Sequence, residues 1–74
     1  MSQNLYFTDK SGKASVDFPY QTSTKVSYAV MQATSLEQKL KILKSDLALN
    51  DYKDYLLERC ESMLKDKNLI LCLG

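Results

Sequence analysis

The chain has 74 residues, with 45% apolar and 26% charged residues and a formal net charge of +1, as expected for one small globular domain spanning residues 1–74 rather than a disordered segment. The nearly balanced charge argues against nucleic acid as the main partner, because nucleic-acid binders usually carry a basic excess. The sequence shows neither a signal peptide nor an apolar run near the ~20 residues of a membrane span, so we expect a cytoplasmic protein with no membrane association.

The first predicted element is a β-hairpin formed by residues 5–8 and 14–18. Apolar side chains alternate along both segments, and the residues between them are typical of a turn in which Gly12 can adopt a positive φ. A turn of two or four residues would place the apolar side chains of both strands on one face, whereas a one-residue slip would mix the faces. The predicted inner-face pairs are Phe7 with Val16 and Leu5 with Phe18.

Residues 25–33 follow, and their pattern fits either a helix or a strand. Apolar residues alternate along the segment as in a strand, but the same residues also form an apolar stripe at helical spacing. We favour a short helix, because Thr22 and Ser23 lie just before the segment and either of them can cap it. As a strand, the segment would instead extend the hairpin to a small sheet.

Two longer helices are predicted between Thr34 and Lys67, meeting near Asn50. Residue 34 or 35 can begin the first helix through a capping box with the Glu or Gln three positions later. On one straight helix, the apolar stripes of the two halves would lie roughly 160–240° apart at about 100° per residue. We therefore predict a break with a capping residue at Asn50–Asp51; the alternative is one long helix in an oligomeric coiled coil. The stripes comprise Leu36, Leu40, Leu43 and Leu47, then Tyr52, Leu56, Cys60, Met63 and Leu64.

Five consecutive apolar residues, Leu69 to Leu73, lie near the C-terminus. Such a run predicts a short strand or an apolar tail docked into a groove. Pairing with the hairpin would make a three-stranded sheet, and pairing with a second chain would make a homodimer. The predicted fold class is therefore α+β: an N-terminal β-hairpin, two or three α-helices, and a short C-terminal strand or docked apolar tail.

The residue types disfavour several kinds of active site. The chain has no histidine, two cysteines and two glycines, so a histidine-activated nucleophile, a typical zinc site and a glycine-rich phosphate loop are all excluded. We expect neither enzymatic activity nor a cofactor. Cys60 and Cys72 are interpreted as small buried apolar residues of a reducing compartment, with a redox-formed bridge within or between chains as the alternative.

The leading functional prediction is a non-enzymatic module that binds a larger protein, such as a regulator, inhibitor or adaptor, and that forms a homodimer. Apolar and aromatic residues near the corner between the two helices predict an exposed apolar surface, because tyrosine side chains with an apolar body and a polar tip are enriched at interfaces. The chain begins with Met and has the length of a complete small reading frame of phage or plasmid type, many of which bind larger proteins. The predicted binding residues are Leu49, Tyr52, Tyr55 and Leu57.

The alternative function is a small nucleic-acid-binding regulator. Lysines flank the hairpin turn, and a basic two-stranded ribbon can enter a DNA groove; further lysines lie on the first long helix. A third possibility is a structural subunit that folds only within a larger assembly. The lysines predicted to bind nucleic acid are Lys10, Lys13, Lys39, Lys41 and Lys44.

Overall fold

The structure, a computed structural model, describes residues 3–73 and the side chains of residues 4–72. Three helices and a three-stranded antiparallel sheet confirm the predicted α+β class. The ambiguous segment is helical, and the C-terminal apolar run is a strand. The elements are β1 (Gln3–Thr8), β2 (Ser15–Asp17), α1 (Thr24–Gln32), α2 (Leu36–Asp46), α3 (Lys53–Asp66) and β3 (Asn68–Leu73).

The sheet has the strand order β2-β1-β3, so the first strand of the chain is the central one. Phe7 lies opposite Val16, as the hairpin pattern predicts. The second predicted pair, Leu5 with Phe18, is not in the ladder, because β2 ends at Asp17, one residue before Phe18. The Phe18 ring nevertheless stacks on Phe7 with its centroid 5.3 Å away, so both rings contribute to the same apolar layer.

The loop between β1 and β2 is organised by Asp9. The Asp9 carboxylate accepts hydrogen bonds from the Ser11 hydroxyl (2.6 Å) and the Lys13 backbone N–H (3.1 Å). Gly12 has φ +77°, the left-handed conformation that glycine adopts without strain. The Asp9 N–H donates to the Ala14 carbonyl at 3.3 Å, which closes a four-residue loop and confirms one of the two predicted turn lengths.

Serine side chains begin the first two helices. Ser23 Oγ accepts from the Val26 N–H at the start of α1, and Ser35 Oγ accepts from the Gln38 N–H at the start of α2, both at 3.2 Å. Each bond satisfies a backbone donor that has no partner inside its helix. The Gln38 side chain reaches back to the Thr34 N–H at 3.1 Å, which gives a variant of the predicted capping box.

The predicted helix break is confirmed, because α2 ends at Asp46 and α3 begins at Lys53. One long helix in a coiled coil is therefore the wrong alternative. Asn50 acts close to its predicted position: its side-chain oxygen accepts from the Tyr52 N–H at 2.8 Å, and Tyr52 itself makes no side-chain cap bond. The two helices then pack side by side behind the sheet.

The core lies between one face of the sheet and the three helices. α1 packs across β1 and β3, and the buried side chains of β1 meet those of all three helices in one cluster. Because Leu69 and Leu71 of β3 pack against this cluster, Ile70 and Cys72 point to the opposite face of the sheet. The buried cluster comprises Leu5, Phe7, Phe18, Val30, Leu43 and Cys60.

Candidate protein-binding surface

The connection between α2 and α3 is a compact corner held by its own hydrogen bonds. Short turns follow the end of α2, and the Asn50 side chain and carbonyl bind the first N–H groups around the start of α3. These bonds fix the backbone of an exposed loop that leaves the core at the buried Leu47. The pairs are Ala48 N to Ser45 O (3.3 Å), Asn50 N to Leu47 O (2.9 Å), Tyr52 N to Asn50 Oδ1 (2.8 Å) and Lys53 N to Asn50 O (3.2 Å).

Three of the predicted binding residues are exposed at this corner, and we call them the corner patch: Leu49, Tyr52 and Tyr55. Their side chains are 98%, 71% and 59% exposed, respectively. Single exposed apolar residues are ordinary on protein surfaces. Three within one corner, including a fully solvated leucine, are not explained by packing in the folded chain.

Arg59 extends the corner patch along α3. Its guanidinium carbon lies 5.9 Å from the centroid of the Tyr55 ring, and its Nη1 donates to the Tyr55 hydroxyl at 3.2 Å. Arg59 is absent from the residues predicted from sequence. Its position four residues after Tyr55 is the available signal, because residues at this spacing are neighbours on a helix surface.

Leu57 lies apart from the tyrosines. At about 100° per residue, Tyr55 and Leu57 are separated by roughly 200° around α3 and so point in nearly opposite directions. Leu57 is half-buried against the core and lines a groove of about 240 Å³ between α2 and α3. The predicted set is thus divided between the corner patch and this α2–α3 groove, which is lined by Lys44, Leu47, Ala48, Lys53, Asp54 and Leu57.

Lys39, one of the predicted nucleic-acid contacts, has a structural role at the end of α1. Its ammonium group donates to the backbone carbonyls of Val30 (2.8 Å) and Ala33 (2.7 Å). These carbonyls are at the end of the helix, where backbone acceptors lack intrahelical donors. Partial burial lowers the pKa of the Lys39 ammonium. This lysine therefore ties α1 to α2 through two of its three N–H donors.

The other predicted lysines are exposed but do not form one continuous basic surface. Lys10 and Lys13 lie in the β1–β2 loop. Lys41 lines a groove between α1 and α2 that it shares with Asp46, whereas Lys44 lines the α2–α3 groove, which contains Asp54. Each groove also contains a second lysine, Lys25 in the first and Lys53 in the second, so each combines two lysines with one aspartate.

The two cysteines lie on opposite sides of the sheet, and both are free thiols. Cys60 is fully buried in the core, as predicted, and burial raises the pKa of its thiol to about 11. The predicted burial of Cys72 is wrong, because β3 directs this side chain to the uncovered face. A bridge between Cys60 and Cys72 is therefore not part of this fold.

The remaining shifted titratable groups also have structural causes. Burial, together with the hydrogen bond that its hydroxyl donates to Asp46 Oδ2 at 2.7 Å, raises the pKa of Tyr20. The hydrogen bond from the Ser11 hydroxyl lowers the pKa of the Asp9 carboxyl in the β1–β2 loop. Tyr20 holds the segment before α1 against the end of α2, and Asp9 holds the β1–β2 turn. Each pKa shift therefore arises from a contact that stabilises the fold.

Within the described residues, no three side chains of the metal-binding types lie close enough together to hold a metal ion. None of the helices that the structure describes has the length and apolar character needed to cross a membrane. No known protein family, curated protein or solved structure matches the chain. The function of the protein must therefore be inferred from the geometry of the corner patch and its surroundings.

Proposed function

We propose that the protein is a non-enzymatic binding module that acts in the cytoplasm as a small regulator, inhibitor or adaptor of a larger protein. The corner patch is the proposed contact surface. The observation that carries the proposal is Leu49, which is almost completely solvated although its backbone is held in a hydrogen-bonded turn. Burial of one leucine side chain contributes about 1.5–3 kcal/mol, a gain that is available only to a partner.

The corner patch is well suited to binding because it is already ordered. Association normally costs free energy for immobilising loops and side chains, and a preformed surface avoids part of that cost. The turn hydrogen bonds hold the backbone on both sides of Leu49, and the contact with Arg59 restrains the Tyr55 ring. Tyrosine and arginine are also the residue types that most often dominate binding energy at interfaces.

Charges beside the corner patch indicate the chemistry of the partner. Asp51, Lys53 and Asp54 are exposed next to it and carry both signs. Such a mixed rim suits an apolar protein pocket surrounded by polar groups. Nucleic acid is a poorer match, because phosphate contacts require an unbroken excess of positive charge.

The proposed module is a homodimer. A chain of this length buries only about 60% of the surface that its unfolded state exposes. Small domains often gain stability by self-association. The dimer and the partner contact are separate parts of the proposal and are tested by separate variants.

The first test compares partner capture by the wild-type protein and a Tyr52→Ala/Tyr55→Ala variant in a source-cell lysate. Half of each sample is treated with nuclease, and bound proteins are quantified by mass spectrometry. We expect a stoichiometric, nuclease-resistant partner whose capture falls at least about tenfold in the variant, equivalent to ~1.4 kcal/mol. Tyr28→Ala is the matched control, because Tyr28 is 43% exposed on α1, away from the corner patch.

Circular dichroism spectra of both variants should remain native, because all three tyrosines are exposed. Equal capture of the same partner by the wild type and the double variant would contradict the corner patch as the contact surface. Partners that disappear after nuclease treatment would instead favour the nucleic-acid alternative. In that case Lys10→Ala/Lys13→Ala becomes the informative variant.

A further inference from the structure

The two edges of the sheet differ in how they are protected against pairing with another strand. β2 has three residues, includes the exposed Asp17, and is followed closely by Pro19, which has no N–H to donate. Short length, charge and proline are the devices by which proteins keep sheet edges from associating. The β2 edge therefore has three of these protections in or beside a single short strand.

Within β3 itself none of these protections is present, although the charged residues Asp66 and Lys67 immediately precede the strand. β3 contains six residues, Asn68–Leu73, with neither a charged residue nor a proline. It pairs with β1 over its whole length, from Thr8 opposite Asn68 to Gln3 opposite Leu73. In the part of the chain that the structure describes, no strand pairs with its other side. A long, regular, uncharged edge of this kind is a ready template for another strand.

The core-facing side chains of β3 are also less completely buried than those of β1. On β1, Leu5 is 3% exposed and Phe7 is 0% exposed. The residues directly opposite them on β3, Leu71 and Leu69, face the same core but are only half-buried. β1 lies on one side of these leucines, and no strand that the structure describes covers the other side.

We infer that β3 is the dimerisation strand: a second copy of the chain pairs antiparallel with β3 and forms a continuous six-stranded sheet. Two identical antiparallel strands are related by a two-fold axis, so the donors of one edge meet the acceptors of the other. No like charges meet in this arrangement, because β3 is uncharged. Symmetric pairing through β2 would involve only three residues and, when centred on Asp17, would place two carboxylates directly opposite each other, which is unfavourable.

The alternation of faces restricts the register. Residues directly opposite each other point to the same face, so the core-facing Leu69 and Leu71 cannot lie opposite Ile70 or Cys72. Two centred registers keep the faces matched. One places Ile70 opposite the partner's Ile70, and the other places Leu71 opposite the partner's Leu71. Both bring the half-buried leucines of the two copies together and continue the core across the interface.

This inference rests on the homodimer part of the proposed function and gives it a location. It leaves the corner patch free, because that surface is formed by the α2–α3 connection and not by the sheet. A dimer joined at β3 therefore presents two corner patches, and each can engage a separate partner molecule.

The inference is tested by sedimentation equilibrium of the wild type, Cys72→Lys and Ser15→Lys. Both substituted side chains are exposed, and each change places a lysine on an edge strand. We expect a wild-type dimer whose dissociation constant rises at least about tenfold in Cys72→Lys, equivalent to ~1.4 kcal/mol. Ser15→Lys on β2 should dimerise as the wild type does. Circular dichroism checks that both variants fold.

Isotope-filtered nuclear Overhauser spectra of mixed labelled and unlabelled wild-type protein then identify the register. Contacts between Leu69 and the partner's Leu71 support the register centred on Ile70, and contacts between Ile70 and the partner's Cys72 support the one centred on Leu71. A monomeric wild type would overturn the inference, as would a dimer that Cys72→Lys leaves intact. Neither result affects the Tyr52→Ala/Tyr55→Ala capture test, so the two proposals fail separately.

Discussion

The interior behind the sheet and the α2–α3 corner contain the same kinds of residue in opposite surroundings. Leu43 is 0% exposed in the core, whereas Leu49, only six positions later, is 98% exposed. Cys60 and Cys72 are divided in the same way between the core and the uncovered face of the sheet. Residue type alone therefore does not determine which apolar groups stabilise the fold and which remain available for binding. Matched substitutions at each pair separate the two roles.

The leucine pair should give the largest difference. Leu43→Ala removes a fully buried side chain and leaves a cavity, which should lower the unfolding free energy by about 2–5 kcal/mol. Leu49→Ala removes a solvated side chain and should change it by less than about 0.5 kcal/mol. Urea denaturation followed by circular dichroism measures both values.

For a chain of this length, the total stability is about 4–11 kcal/mol at ~0.05–0.15 kcal/mol per residue, so Leu43→Ala should remove a substantial fraction of it. A large destabilisation by Leu49→Ala would show that the corner patch contributes to folding. That result would remove the main reason for treating Leu49 as a binding residue.

The lysine pair should give a smaller difference. Lys39→Met keeps much of the apolar stem but removes the ammonium donor to the Val30 and Ala33 carbonyls. We expect a loss of about 1–2 kcal/mol, the lower part of the range for hydrogen bonds to charged groups, because the site is only partly buried. Lys41→Met, on the exposed surface of the same helix, is the control and should be nearly neutral.

Equal stabilities of the two lysine variants would mean that the carbonyl contacts of Lys39 contribute nothing to the folded state. Lys39 would then again be a candidate nucleic-acid contact, as the sequence predicts. Thermal unfolding of both variants should be measured at low and at high salt. Salt screens long-range interactions between exposed charges, so a difference in stability that persists at high salt comes from the local contacts of Lys39.

The cysteine pair should differ in reactivity rather than in stability. Burial raises the pKa of Cys60 to about 11, so its thiol stays protonated and covered at neutral pH, whereas Cys72 is exposed. Since the thiolate is the reacting species, a thiol-reactive chromophore should modify one cysteine per native chain quickly and the other only after unfolding. Mass mapping should identify Cys72 as the fast site; fast modification of Cys60 would contradict the packed core.

The features predicted correctly from the sequence are those set by short-range chemistry. Ser23 and Ser35 cap helices because a serine oxygen reaches a backbone N–H three residues later. The break near Asn50 follows from the change of apolar face between two halves of one helical stretch. The pairing of Phe7 with Val16 follows from alternation across a short turn.

The features that the sequence left open depend on contacts between distant segments. Nothing local indicates that β1 is central or that the C-terminal run covers its second side, because these pairs are about sixty residues apart along the chain. The role of Lys39 depends on where α1 ends relative to α2. The division between Tyr55 and Leu57 is different: their spacing on a helix already separates them, and that signal was available in the sequence.

The central position of β1 also bears on the order in which the molecule assembles. Pairing Thr8 with Asn68 closes nearly the whole chain into one loop, and the entropy lost rises with loop length. Contacts between neighbouring helices span much shorter stretches, and chains rich in local contacts fold faster. We expect the three helices to form while the sheet is still open. On the ribosome, β1 can pair early with β2, but its other edge must stay open until β3 has been synthesised, and an unpaired strand edge is a site at which aggregation begins.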